Sequence, residues 1–91
     1  MASVQIKITS TTSLIQVSID DNVILKVNHD YDNTITVELE DGKVHILTWF
    51  VHGAEGSTYS IEVLSPVHVG PETGTLDDSL KDTGYLKIDL T

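Results

Sequence analysis

Apolar and polar residues alternate with a period of two along most of this chain, the spacing at which successive side chains of a β-strand point to opposite faces. Val4, Ile6 and Ile8 alternate with Gln5, Lys7 and Thr9, and Ile15, Val17 and Ile19 alternate with Gln16 and Ser18. Strands are predicted at 3–9 and 15–19, broken by the polar run Ser10 to Ser13. Asp20-Asp21-Asn22 is turn chemistry, because short Asx side chains bond nearby backbone, and Val23, Leu25 and Val27 make a third strand, followed by a break at His29 to Asn33. The cleanest run is Thr34 to Glu40, with Ile35, Val37 and Leu39 on one face and Thr36, Glu38 and Glu40 on the other. Asp41-Gly42 then predicts a type I′ turn pairing strand 34–40 antiparallel with strand 43–52. Gly53-Ala54-Glu55-Gly56 predicts a second hairpin that returns through Tyr59, Ile61 and Val63. Proline lacks the donor that a central strand needs. Pro66 and Pro71 therefore make 67–84 a long loop with a short helical turn at 76–81, before Leu86, Ile88 and Leu90 close the chain as a last strand.

Seven short strands without helical periodicity predict an all-β fold, an antiparallel β-sandwich in a single domain spanning 1–91. The long connection before the last strand suits a Greek-key crossover better than an up-and-down barrel. Aromatic residues make up only 5 % of the chain, so the core rests on Val, Ile and Leu, which suit a half-buried pleated surface.

The segment Leu47 to Gly53, LTWFVHG, resembles the third strand of immunoglobulin-like domains, where a buried Trp is followed by an aromatic residue and a Gly-containing turn. Asp82-Thr83-Gly84-Tyr85 is similar to the tyrosine corner of that family, in which a hydroxyl pins a loop. Tyr85 falls one residue early, with Leu86 at the family's Tyr position and Ile88 where its second Cys often stands. The resemblance implies a sandwich of that general kind, and fibronectin type III-like and lectin-like sandwiches fit equally.

Five Lys, no Arg and fourteen acids give a net charge of −9, which argues against nucleic acid and anionic membrane as partners, since both are held by cationic side chains. The absence of Cys removes thiol catalysis, disulfides and thiolate metal sites. MASVQIKI lacks the basic and apolar regions of a signal peptide, which inclines the reading slightly to the cytoplasm, while an added Met on a mature secreted domain fits as well. His29, His45, His52 and His68 lack zinc-ligand spacing, and the parity of His45 and His52 sends them to opposite faces. Calcium is the better metal candidate, with Asp20 and Asp21 in one loop and Asp30, Asp32 and Asn33 in another. Asp30-x-Asp32 does not open an EF-hand, because Ile35 stands where Gly is needed and Asp41 where Glu is needed. No nucleophile elbow or Gly-rich phosphate loop is present, and no enzymatic activity is expected.

Strand 43–52 is apolar on both faces. With Leu47, Trp49 and Val51 inward, Val44, Ile46 and Phe50 point outward, and Ile24 and Leu64 are candidates to extend that patch. The outer face is either covered by the 66–83 loop or free to bind another chain. The expected function is a protein-interaction or assembly module acting through a sheet face or edge, with the Ser/Thr-rich strand 3–9 as a candidate edge. The alternative is a small carbohydrate-binding, lectin-like module in which Tyr31, Tyr59 or Tyr85 stacks on a sugar, with or without calcium.

Overall fold

The computed structural model describes all residues, Met1–Thr91, as eight antiparallel β-strands in two four-stranded sheets, with no helix. The strands are β1 (Ala2–Ser10), β2 (Leu14–Ile19), β3 (Asn22–Val27), β4 (Tyr31–Leu39), β5 (Val44–His52), β6 (Thr58–Ser65), β7 (Val69–Thr75) and β8 (Lys81–Asp89). One sheet has the order β4-β1-β6-β7 and the other β3-β2-β5-β8. Val4, Ile6, Ile8, Ile61 and Val63 from the first meet Ile15, Val17, Leu47, Val51 and Ile88 from the second in a core from which water is excluded. The inward sets match the period-two reading, and that apolar burial is the main favourable term holding the layers together.

Two of the seven connections are hairpins within a sheet, β2 to β3 and β6 to β7, and the other five carry the chain from one sheet to the other. This overturns both predicted hairpins. β4 pairs with β1, not with β5, and β5 pairs with β2 and β8, not with β6. Asp41-Gly42 lies in an arch between layers, where Gly42 alone of the pair takes a positive φ, 76°, whereas a type I′ turn requires both residues to do so. The arch is fixed by its neighbour in space: the Gly42 amide donates to the Leu90 carbonyl at 3.0 Å, and the Leu90 amide to the Lys43 carbonyl at 2.9 Å. The type I′ geometry is found instead at Asp20 and Asp21, with φ of 50° and 67°, joining β2 to β3.

The segment read as a loop supplies an eighth strand. β7 pairs with β6 along the margin of its sheet, where a proline costs no ladder bond on the open side, so Pro71 is accommodated within the strand. In place of a helical turn, Asp77 to Leu80 form a tight turn closed by the Leu80 amide on the Asp77 carbonyl at 3.1 Å. A register shift in the β2–β3 ladder turns Val23 outward, 56 % exposed, and lets Ile24 pack against the core, reversing the predicted faces of those two residues. β1, the predicted edge, lies between β4 and β6 and has no free edge.

The sandwich is sealed along its β7/β8 side by two aromatic rings. Trp49 extends from β5 across Gly84, and Tyr59 extends from β6 across Gly74, each glycine being the direct cross-strand partner of its ring. A methyl group at Gly84 would lie 2.4 Å from the Trp49 ring, and one at Gly74 would lie 2.5 Å from the Tyr59 hydroxyl. The rings meet across the layers with centroids 6.1 Å apart, tilted by 55°.

Candidate contact face

The outer face of the β3-β2-β5-β8 sheet gathers the exposed apolar side chains. β5 presents Val44, Ile46, Thr48, Phe50 and His52 outward, because Leu47, Trp49 and Val51 at the intervening positions are buried. In the antiparallel register β8 sets Lys87 opposite Ile46, Tyr85 opposite Thr48, Thr83 opposite Phe50 and Lys81 opposite His52. Tyr85 is therefore diagonal to both Ile46 and Phe50, within reach for long side chains on one face. Tyr85 is 65 % exposed, Val44 46 % and Phe50 41 %, while Ile46 is half-buried among them. The segment 66–83 does not cover this face, because β7 belongs to the other sheet.

Three of the five lysines, Lys26, Lys81 and Lys87, surround this patch. The outer face of the β4-β1-β6-β7 sheet carries Asp32, Glu38 and Glu62 among Ser and Thr, with Lys7 as its lysine. A chain with a net charge of −9 thus has a mostly cationic rim on one broad face, with Asp89 opposite Val44 as the carboxylate that β8 turns to it, and carboxylates on the other.

The other residues singled out in the sequence disperse. Leu64 is exposed on the opposite sheet and cannot extend the patch. Tyr59 is buried, and its hydroxyl donates to Asp82 Oδ2 at 2.6 Å; burial first, and then the adjacent carboxylate, raises its pKa above the ordinary tyrosine value. Tyr31 packs half-buried against the core at the start of β4. Tyr59 and Tyr85 border one groove of about 520 Å³ between β7 and β8, together with Trp49, Glu72 and Lys87. The corner tyrosine implied by the immunoglobulin resemblance does not pin a loop here: Tyr85 faces solvent, and Tyr59 provides the hydroxyl tie. Trp49 is buried, with no hydrogen-bond partner for its Nε1.

The two acidic loops lie at opposite ends of a sandwich 40 Å long, so they form no common site. Asp30 and Asp32 border a polar hollow of about 310 Å³ with Tyr31, next to a larger one of about 610 Å³ lined by Thr11 to Ser13 and Asn28 to Asp30. No three His, Cys, Asp or Glu side chains come close enough to hold a metal ion.

At the other end Asp20 is committed to structure. Its Oδ1 accepts the Ile46 amide at 3.0 Å, and its Oδ2 lies 2.5 Å from His45 Nδ1. His45 is only 5 % exposed, and its Nε2 faces the Glu40 carbonyl at 2.8 Å. Both ring nitrogens thus meet acceptors, an arrangement that only the doubly protonated ring satisfies. The Glu40 carbonyl, then the Asp20 carboxylate, hold the His45 pKa above the ordinary imidazole value against burial. The Ile46 amide, then the His45 ring, hold the Asp20 carboxyl below the usual carboxylate range. Nothing in the sequence pattern joins His45 to the β2–β3 turn or to the β4–β5 arch. The only available signal was the odd parity that turns this histidine inward.

Comparison of the chain with protein-family models, with curated proteins and with solved structures finds no match.

Proposed function

We propose that this chain is a non-enzymatic binding module whose contact surface is the outer face of the β3-β2-β5-β8 sheet. One observation carries the reading: Phe50, Tyr85, Ile46 and Val44 form a contiguous apolar and aromatic patch, left uncovered, within a rim of lysines. Interfaces concentrate their binding energy in aromatic anchors that become desolvated at the centre of the contact. The lysine rim selects a partner that is acidic around an apolar centre, since complementary charge guides encounter and rejects other partners. The sandwich is read as immunoglobulin-like in general kind, an interpretation supported by the buried Trp49 on a central strand and the predominance of sheet-crossing connections.

Panning a random peptide library on the immobilised protein tests the surface. Selected peptides should be acidic with an aromatic or aliphatic centre, and Phe50→Ser should weaken them about tenfold or more, from loss of roughly 1–2 kcal/mol of apolar contact. Equal binding to Phe50→Ser and the parent protein would place the surface elsewhere. In a glycan array, binding lost with Tyr85→Ala and kept with Phe50→Ser would favour the carbohydrate-binding alternative.

A further inference from the structure

Four strands end the two sheets, and they are not alike. β3 has six residues and a register shift, and β7 has seven, a shift and Pro71 within it, features that hinder pairing with another chain. β4 and β8 each run nine residues in unbroken register with their neighbours and contain no proline. They lie at opposite lateral sides of the sandwich, one in each layer.

The unpaired backbone groups on these two edges can be assigned. The Gly53 amide donates to the Leu80 carbonyl, and the Leu90 amide donates to the Lys43 carbonyl, so even positions of β8 bond inward to β5 and odd positions point away. The Thr11 amide donates to the Thr58 carbonyl, so odd positions of β1 serve β6, its even positions serve β4, and the even positions of β4 point away. Two local bonds agree with this: the Thr34 amide is taken by Asn33 Oδ1 and the Thr83 amide by Asp82 Oδ1.

At those same positions four outward side chains are charged in complement, and Asp89 at the end of β8 is the exception, facing Asp30 in the pairing below. β8 carries Lys81 and Lys87, and β4 carries Asp32 and Glu38, with the same spacing along the strand. Within one copy both strands end at the same pole, where the arch after β4 bonds to Leu90 just beyond β8. Turning a second copy over by a half-turn about the line joining the two edges makes its β4 antiparallel to the first copy's β8 and keeps both outward faces on one side.

We infer that copies of this chain assemble head to tail by pairing β8 of one with β4 of the next, Lys81 opposite Glu38, Thr83 opposite Thr36, Tyr85 opposite Thr34 and Lys87 opposite Asp32. Every one of these pairs joins two residues whose backbone groups make no ladder bond within the copy, and the local bonds of the Thr34 amide, the Thr83 amide and the Lys81 carbonyl, which accepts the Ser79 hydroxyl at 3.2 Å, are exchanged for ladder bonds. The contact uses different surfaces on the two copies and leaves an unpaired β4 and an unpaired β8 at the ends, so it propagates as an open chain and does not close as a dimer. It is independent of the contact face above, which remains exposed on alternate sides of the assembly.

Sedimentation velocity from micromolar to millimolar protein reads the assembly directly, with species expected to grow beyond a dimer as concentration rises. Lys81→Glu with Lys87→Glu, and separately Asp32→Lys with Glu38→Lys, should each weaken association about tenfold or more by placing like charges opposite one another. An equimolar mixture of the two charge-reversed proteins should restore it, because each then offers the edge the other lacks. Thr36→Pro removes one outward amide and should block growth with the unfolding midpoint unchanged. A parent protein that stays monomeric at millimolar concentration, a closed dimer, charge-reversed proteins that assemble normally, or a mixture that stays dissociated would each overturn the inference. Assembly lost with Phe50→Ser and kept through the charge reversals would assign the contact to the sheet face instead.

Discussion

Asp20→Asn isolates one charge at the end of the sandwich. Asn tolerates the positive φ of 50° at this position and can still accept the Ile46 amide, so the turn and its backbone tie persist. What is lost is the carboxylate beside His45, 2.5 Å from a ring that is 5 % exposed. Hydrogen bonds to charged groups contribute about 1.5–3 kcal/mol and neutral ones about 0.5–1.5 kcal/mol. The Asp20 side chain is 44 % exposed, so solvent screening brings the expected difference down to about 1 kcal/mol at pH 6. The sign follows from proton linkage. A histidine whose pKa is raised on folding contributes stability that is fully present below its unfolded value, about 6.5, and lost as pH rises through the higher folded value. Urea unfolding followed by circular dichroism should show the two proteins furthest apart near pH 6 and converging toward pH 9. The Met1 amino group, its pKa raised by Asp41, also titrates, but it is common to both proteins and cancels in the difference. A gap that stays constant from pH 5.5 to 9, or widens with pH, would refute the doubly donating imidazolium.

Gly84→Ala should destabilise the fold by about 1–3 kcal/mol, because its methyl group would lie 2.4 Å from the Trp49 ring; an unchanged melting temperature would show that the ring is not held across β8. Tyr59→Phe should cost about 1 kcal/mol through the lost bond to Asp82, and it should do so at neutral pH, where the raised pKa keeps the hydroxyl protonated; equal urea midpoints would count against the tie. Millimolar calcium should leave the melting temperature unchanged, since Asp20 already uses both oxygens and the other acidic loop lies at the far end; a rise with calcium concentration would reveal a site.

Side-chain alternation carried most of the strand faces, and it carried them well where a strand is buried on one side: β1, β2 and β5 have their predicted inward residues. It could not assign strands to sheets. Asp41-Gly42 and Gly53 to Gly56 are good turn sequences, but a tight reversal can fold a strand back beside its neighbour or lift it into the opposite layer. That choice rests on distant partners such as Leu90 and Leu80. β7 escaped because an edge strand with one neighbour need not alternate, and Gly70, Pro71 and Gly74 mask its extended character. Val23 and Ile24 exchanged faces because a bulge shifts parity by one. For the candidate contact face, the outward positions of Val44, Ile46 and Phe50 are legible from parity alone. Tyr85 joined them only once β8 was known to lie beside β5.

Trp49 is the only indole in the chain, and it lies across a glycine of the very strand that offers a free edge. Its buried setting between Gly84 and Tyr59 predicts a blue-shifted emission that any displacement of β8 would move, so the protein contains its own optical reporter. Growth of an edge-paired chain, docking on the outer face and opening of the β7/β8 seam all involve this strand or its neighbour. Each can therefore be followed in the native molecule without attaching a dye.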